Sequence, residues 1–207
     1  TKYQLAAKGA EIEVDMLGRT MGKQDHFATA YGNLNVFTFH ADEKVSVEPV
    51  FYRPETRMEL EKNLLMFYTR LKRDASEVLT SQEQATPNKR EVLRQMRDLV
   101  PELRDILARG VNLNRFGEIL HAGWELKRSI TSEISNSEID EYYQRARLAG
   151  ALGGKLLGAG GGGFLLFYVE PQNQQRVIES LQELYHIQVG LDAGGSRITY
   201  YDQTKVH

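Results

Sequence analysis

Cysteine is absent from the 207 residues. That excludes disulfides, thiol nucleophiles and thiolate metal sites, and it fits a reducing cytoplasm. No apolar stretch approaches the roughly 20 residues that a membrane-spanning helix needs. An initiator methionine is also missing: Thr1-Lys2-Tyr3-Gln4-Leu5-Ala6-Ala7-Lys8 runs straight into a helical pattern with no signal-peptide core. The expectation is a chain that begins inside a domain. Charge of neither sign dominates, and a formal net charge of −2 gives no general attraction to nucleic acid or anionic lipid. The five histidines (His26, His40, His121, His186, His207) show no metal-ligand spacing, which argues against zinc. No serine nucleophile elbow is present.

What the sequence does contain is a stretch almost free of side chains. Gly158, Ala159, Gly160, Gly161, Gly162 and Gly163 lie between two apolar runs, 155–157 and 164–169. A flexible linker would have polar flanks. Here Phe164-Leu165-Leu166-Phe167-Tyr168-Val169 reads as a buried strand, so the core holds the loop. Backbone without Cβ atoms can bring N–H groups close to a bulky anionic ligand, and a tight structural turn is the other reading. The loop is no Walker A motif, because Lys155 precedes the glycines and no Gly-Lys-Ser/Thr follows. It is no dinucleotide fingerprint either, since a strand follows where a helix should open.

Hydrophobic and charged fractions of 41% and 26% are ordinary for a globular protein, and the length allows one large domain or two small ones. Leu5, Gly9, Ile12 and Met16 fall at helical spacing and predict an amphipathic helix ending at Gly18. Alternating runs predict strands over 34–39 and 45–50, and 63–69 reads as a buried strand. Pro49 and Pro54 bracket a break near Phe51, giving expected domains of 1–50 and 51–207. Thr86-Pro87 starts a helix, and Pro101 should kink or split the apolar pattern that follows. Ser137 is the candidate cap of a helix that stops at Gly150. A helix over 172–184 and short strands over 186–191 and 196–201 close the chain. The second part is read as α+β, with helices interleaved among largely antiparallel strands.

Asp25 is the acid that stands out. It sits in a polar segment, Gly22-Lys23-Gln24-Asp25-His26, joining a helix to strands, where catalytic groups tend to lie. Beside Lys23 it could take a proton from a substrate hydroxyl; the alternative is a helix cap. Thr69-Arg70-Leu71-Lys72-Arg73 follows a buried strand and is either an anion site or a solvated turn. Lys127-Arg128 ends a helix, as dipole complement or as anion ligand. Trp124, Tyr142 and Tyr143 read as core and rim rather than a nucleic-acid stacking platform.

These residues resemble a known superfamily. Gly153-Gly154-Lys155-Leu156-Leu157-Gly158-Ala159-Gly160-Gly161-Gly162-Gly163-Phe164 is similar to the third signature of the GHMP kinases, and Gly22-Lys23-Gln24-Asp25 resembles the segment carrying their catalytic aspartate. Leu65-Met66-Phe67-Tyr68-Thr69 with Arg73, Gly123-Trp124-Glu125-Leu126-Lys127-Arg128-Ser129 and Gly194-Gly195-Ser196-Arg197-Ile198 narrow the likeness to D-glycero-D-manno-heptose 7-phosphate kinases and related sugar 1-kinases. The family's phosphate loop, Pro-x-x-x-Gly-Leu-Gly-Ser-Ser, has no counterpart here, and its magnesium-binding serine and glutamate are missing with it. His26 stands where the subfamily would have glutamine.

The resemblance therefore implies the tail of an N-terminal kinase domain followed by a ferredoxin-like C-terminal domain with inserted helices. It implies a cytoplasmic enzyme of nucleotide-sugar (GDP-heptose) biosynthesis using ATP and Mg2+, with no nucleic-acid or membrane partner and a homodimer admitted. Asp25 would be the base on the anomeric hydroxyl. Lys23, Thr69, Arg73, Lys127 and Arg128 would bind the sugar or its distal phosphate, and Gly158, Ala159, Gly160, Gly161 and Gly162 would shape the site near the phosphates. By itself this polypeptide should bind ATP poorly and turn over little. The alternatives are a GHMP kinase for another sugar and a silent ligand-binding module.

Overall fold

The computed structural model describes residues 1–72 and 75–200, which form two units, one of Thr1–Pro49 with the segment from Leu191 onward and one of Val50–Gly190. The expected cut near residue 50 assigned the segment after 190 to the second domain, whereas its described part packs within the first unit.

In the first unit, helix α1 (Lys2–Ala10) starts at a capping box between Thr1 and Gln4, then widens into π-helical turns over Glu11–Met16. Helix α2 (Gln24–Tyr31) packs on it, and strands β1 (Asn35–Phe39) and β2 (Val45–Pro49) form an antiparallel hairpin with Phe37 opposite Val47. Phe27 is the centre of this small core. Its ring lies within 6.4 Å of those of Tyr3, Tyr31, Phe37 and Phe39. The expected apolar stripe behaves differently from its pattern. Leu5, Ile12 and Met16 are exposed, and Ala6 and Ala10 are the buried residues of α1. Small side chains let α1 approach α2 closely: a Cβ on Gly9 would already lie 3.2 Å from His26.

The segment after Leu191 closes this unit. The Asn33 N–H donates to Asp192 O at 2.6 Å, and the Ser196 N–H to Thr29 O at 3.0 Å. Gly195 lies so close to Gly32 that a Cβ on Gly32 would stand 2.3 Å from the Gly195 nitrogen. Residues 196–200 therefore form no strand.

The second unit is built on an antiparallel sheet in the order β4-β5-β3-β6. Its strands are β3 (Leu64–Tyr68), β4 (Gly153–Leu156), β5 (Phe164–Tyr168) and β6 (Tyr185–Gln188). Helix α3 (Pro54–Lys62) enters β3. The crossover from β3 to β4 carries α4 (Ala75–Ala85), α5 (Arg90–Asp98), α6 (Val100–Arg109), α7 (Leu113–Arg128) and α8 (Ser137–Ala149), and α9 (Pro171–Ser180) joins β5 to β6. Removing the extra helices leaves βαββαβ with the strand order of a ferredoxin-like fold. This is the expected α+β architecture with inserted helices.

Pro101 does split the helical pattern: α5 ends at Asp98 with Leu99 as its C-cap, and α6 begins with the proline in its first turn, a position that needs no N–H. Asn136, not Ser137, caps α8, its side chain accepting from Glu138 N and Ile139 N. The core gathers Phe67, Leu165 and Phe167 from the sheet with Trp124, Ile134, Ile139, Tyr143 and Ala146 from the helical layer. Tyr142 is also buried, so these aromatics are core residues. Against β4, α7 packs through bare backbone. A Cβ on Gly153 would stand 1.9 Å from Gly117 O, which leaves glycine as the residue that fits.

Candidate functional site

The glycine segment is the turn of the β4–β5 hairpin. Leu157 N–H donates to Phe164 O at 2.8 Å, extending the ladder one step beyond the Leu156–Leu165 pair. The chain then leaves the sheet through Gly158, Gly160, Gly161 and Gly163, with φ of +79°, +132°, +74° and +102°. Side chains strain such backbone, so the glycines are required by conformation before any ligand is considered.

The protein also fixes the loop from within. Gly161 N–H donates to Ile134 O at 2.9 Å and Gly163 N–H to Leu71 O at 3.2 Å. Gly163 O accepts from both the N–H and the hydroxyl of Thr69, each at 2.9 Å. Gln82 Nε2 holds Ala159 O at 2.8 Å and Lys127 Nζ holds Gly158 O at 2.6 Å. A Cβ on Gly160 would meet Ile134 at 2.8 Å, and one on Gly162 would meet Leu71 O at 2.4 Å. The inner edge of the loop is a packed structural turn.

Its outer edge is bare. The N–H groups of Gly158, Ala159, Gly160 and Gly162 donate to no protein acceptor among the described residues. Cβ atoms at Gly158 and Gly163 would meet nothing within 4 Å. Successive unused N–H groups on alternating backbone make an anion-binding concavity. The structural-turn reading holds on the inner edge, and the outer edge leaves N–H groups that an anion could use.

Among the residues singled out, Thr69 and Lys127 join this loop. Arg128 does not: its guanidinium lies 2.7 Å from Asp140 and 3.3 Å from Glu125 in a local ion-pair cluster. Arg73 lies outside the described residues. Three participants escaped the sequence reading. Gln82 sits on α4, whose pattern gave no helix, while Leu71 and Ile134 act through backbone carbonyls that any residue could provide.

In the first unit Asp25 occupies the second position of α2. It is exposed, and its carboxylate has no hydrogen-bond or ion-pair partner among the described residues. The capping reading loses ground here, because the N-cap position is Lys23 and no side chain caps α2. The Lys23 ammonium is paired with Glu43. Asp25 lines a cavity of about 330 Å3 with His26, Glu13, Met21, Leu5 and Ser196. Cavities of this size hold small metabolites. The floor is polar. His26 Nε2 lies 2.8 Å from Glu13, and His26 Nδ1 is buried with no partner among the described residues. An acceptor hydroxyl in this cavity would meet a free carboxylate in a helical first turn, where negative charge complements the helix N-terminus.

Among the described residues no group of three or more His, Asp or Glu could hold a metal ion, and no helix is long and apolar enough to cross a membrane.

Known proteins resemble this arrangement. Residues 99–187 match the family described as GHMP kinases C terminal. The chain is 28% identical over 184 residues to the D-glycero-alpha-D-manno-heptose 7-phosphate kinase of Campylobacter jejuni, covering 88% of this chain and 54% of that protein. The crystal structure of a D-glycero-D-manno-heptose 1-phosphate kinase from Bacteriodes thetaiotaomicron superposes with a TM-score of 0.63 at 25% identity, over 96% of this chain and 56% of that one. A Campylobacter jejuni protein described as a sugar kinase superposes with a TM-score of 0.68 at 27% identity, over 94% and 56%. The chain thus spans about half the length of the relatives it matches.

Proposed function

We propose that this chain carries the C-terminal domain of a GHMP kinase, as the match over residues 99–187 supports, and that its parent protein is an ATP-dependent sugar kinase acting on the anomeric hydroxyl of a heptose 7-phosphate. The observation that carries this reading is the β4–β5 turn: pinned on its inner edge by Thr69, Gln82 and Lys127, and open on its outer edge with four unused N–H groups. Phosphoryl transfer depends on positioning and on donors aimed at negative oxygens, and a preformed backbone surface meets both needs without reorganisation.

In this reading Asp25 accepts the proton of the anomeric hydroxyl while that oxygen bonds to the γ-phosphorus. The bond from phosphorus to the β,γ-bridging oxygen breaks, and ADP leaves. Lys23 would reach the sugar only by exchanging its Glu43 partner. The distal phosphate falls to Arg73 by the resemblance. Arg128, already paired with Asp140 and Glu125, is withdrawn from the substrate set. Magnesium would supply charge neutralisation for the nucleotide. The described residues offer no ligand cluster for it, so no step is assigned to it here.

A second acceptor is favoured by one observation: the two named relatives are kinases of differently described heptose phosphates. The test is product formation by the full-length protein with heptose 7-phosphate, heptose 1-phosphate, galactose and mevalonate, followed by phosphorus NMR. The expected product is a heptose 1,7-bisphosphate. Preferential turnover of another acceptor would move the assignment within the family, and no turnover of any would support a silent ligand-binding module.

A further inference from the structure

A cavity of about 670 Å3 opens in the second unit between α7, α8 and the turn into β4, and it shares no lining residue with the glycine loop. Its walls come from His121, Glu125 and Arg128 on α7, from Asp140, Tyr143, Gln144 and Arg147 on α8, and from Asn173 at the start of α9. Nothing derived above uses it.

The hydrogen bonds fix what this cavity offers. Tyr143 is buried, and its hydroxyl donates to Gly154 O at 3.3 Å. With that bond made, the phenolic oxygen is left to accept from His121 Nδ1, 2.9 Å away, and this assigns the tautomer. Nδ1 therefore carries hydrogen. Burial first, and then the nearby Arg147 charge, hold the imidazole below its usual pKa, so the ring is neutral near pH 7. Its lone pair is at Nε2, which has no protein partner among the described residues.

The cations differ in availability. Arg128 is spent on Asp140 and Glu125. Arg147 donates to Ala151 O and meets no carboxylate among the described residues. Gln144 and Asn173 add neutral amides at the rim. Beside the Arg128 cluster, whose two carboxylates also line the wall, the cavity thus presents one uncompensated guanidinium, one imidazole acceptor and two amides, in a volume suited to a small molecule. A guanidinium forks onto two oxygens of a carboxylate or phosphate, and the imidazole lone pair calls for a hydroxyl donor. We propose that this cavity binds a small hydroxylated anion, a polyol phosphate or a hydroxy acid, with its charged end on Arg147 and a hydroxyl donating to His121 Nε2. The proposal stands whether or not the protein is a kinase.

The test follows the His121 imidazole nitrogens by NMR in the intact protein, titrated with glycerol 1-phosphate, with glycerate and with glycerol. A saturable Nε2 shift with one or both anions, and none with glycerol, is expected; the anion that acts at lower concentration identifies the head group. Gln144→Glu changes an exposed rim residue, so folding is unaffected, and the added negative charge should weaken the anion about fivefold. Arg147→Gln should abolish the response. If that variant fails to fold, Gln144→Glu decides alone. The proposal is overturned if neither anion saturates, if glycerol gives the same shift, or if the folded variants bind as the parent does.

Discussion

Lys127, in the last turn of α7, places its ammonium 2.6 Å from the carbonyl oxygen of Gly158. A helix end thus holds the first glycine of the β4–β5 turn, while Thr69 holds the last one by its carbonyl. The loop is clamped at both ends by side chains from elements that the sequence keeps far apart.

Cutting that clamp should loosen the turn before it unfolds the domain. Lys127→Met keeps the aliphatic stem and removes the charge-assisted bond, worth about 1.5–3 kcal/mol when desolvated and less at this partly exposed site. The expectation is amide exchange at Gly161 and Gly163, whose N–H groups are bonded, faster by about tenfold, with global unfolding nearly unchanged. Equal exchange in both proteins would show that the lysine merely rests on the loop.

The glycines should divide by position. Gly162→Ala forces a Cβ to 2.4 Å from Leu71 O, and Gly160→Ala one to 2.8 Å from the Ile134 backbone with a φ of +132°. Each should cost about 2–4 kcal/mol, read as a lowered denaturation midpoint. Gly158→Ala meets no atom within 4 Å and carries only its φ of +79°, so about 1–2 kcal/mol is expected. Its larger effect should be on turnover, because its Cβ would crowd the open edge. Equal stability losses at all three positions would contradict this division.

Stability should depend on pH through His121. Burial and the Arg147 charge lower its folded-state pKa from the ordinary value of 6.5. Above pH 6.5 both states are neutral and the group contributes nothing. As pH falls below 6.5 the unfolded chain takes a proton that the folded ring resists, so stability declines until the folded ring protonates too. His121→Phe should flatten this part of the curve in urea titrations between pH 5 and 7. An unchanged slope would assign the effect to other groups.

Much of the second unit was readable because its patterns are local and strong. The Phe164–Tyr168 strand is a continuous apolar run, and the Pro101 break and the Gly150 helix end follow from single residues. What failed was what depends on distant partners. Leu5, Ile12 and Met16 have helical spacing, yet the helix turns its alanines inward, since the approach of α2 decides which face is buried. Residues 196–200 alternate as a strand would, but the Ser196 N–H is drawn onto α2 by Thr29 O and Ala30 O. The site was half legible. Glycine and threonine at the loop are chemically distinctive, whereas Gln82, Leu71 and Ile134 take part by position, and sequence chemistry carries no sign of position.

The central claim is that Asp25 is the base, and its substitution tests it most directly. Asp25→Asn in the full-length protein should cut phosphoryl transfer to heptose 7-phosphate by about 10²–10⁴-fold. Because the exposed carboxylate has no protein partner among the described residues, the unfolding free energy should move by no more than about 0.5 kcal/mol. Turnover within a factor of about three of wild type, in a protein that unfolds normally, would remove the proton acceptor from this account and contradict it.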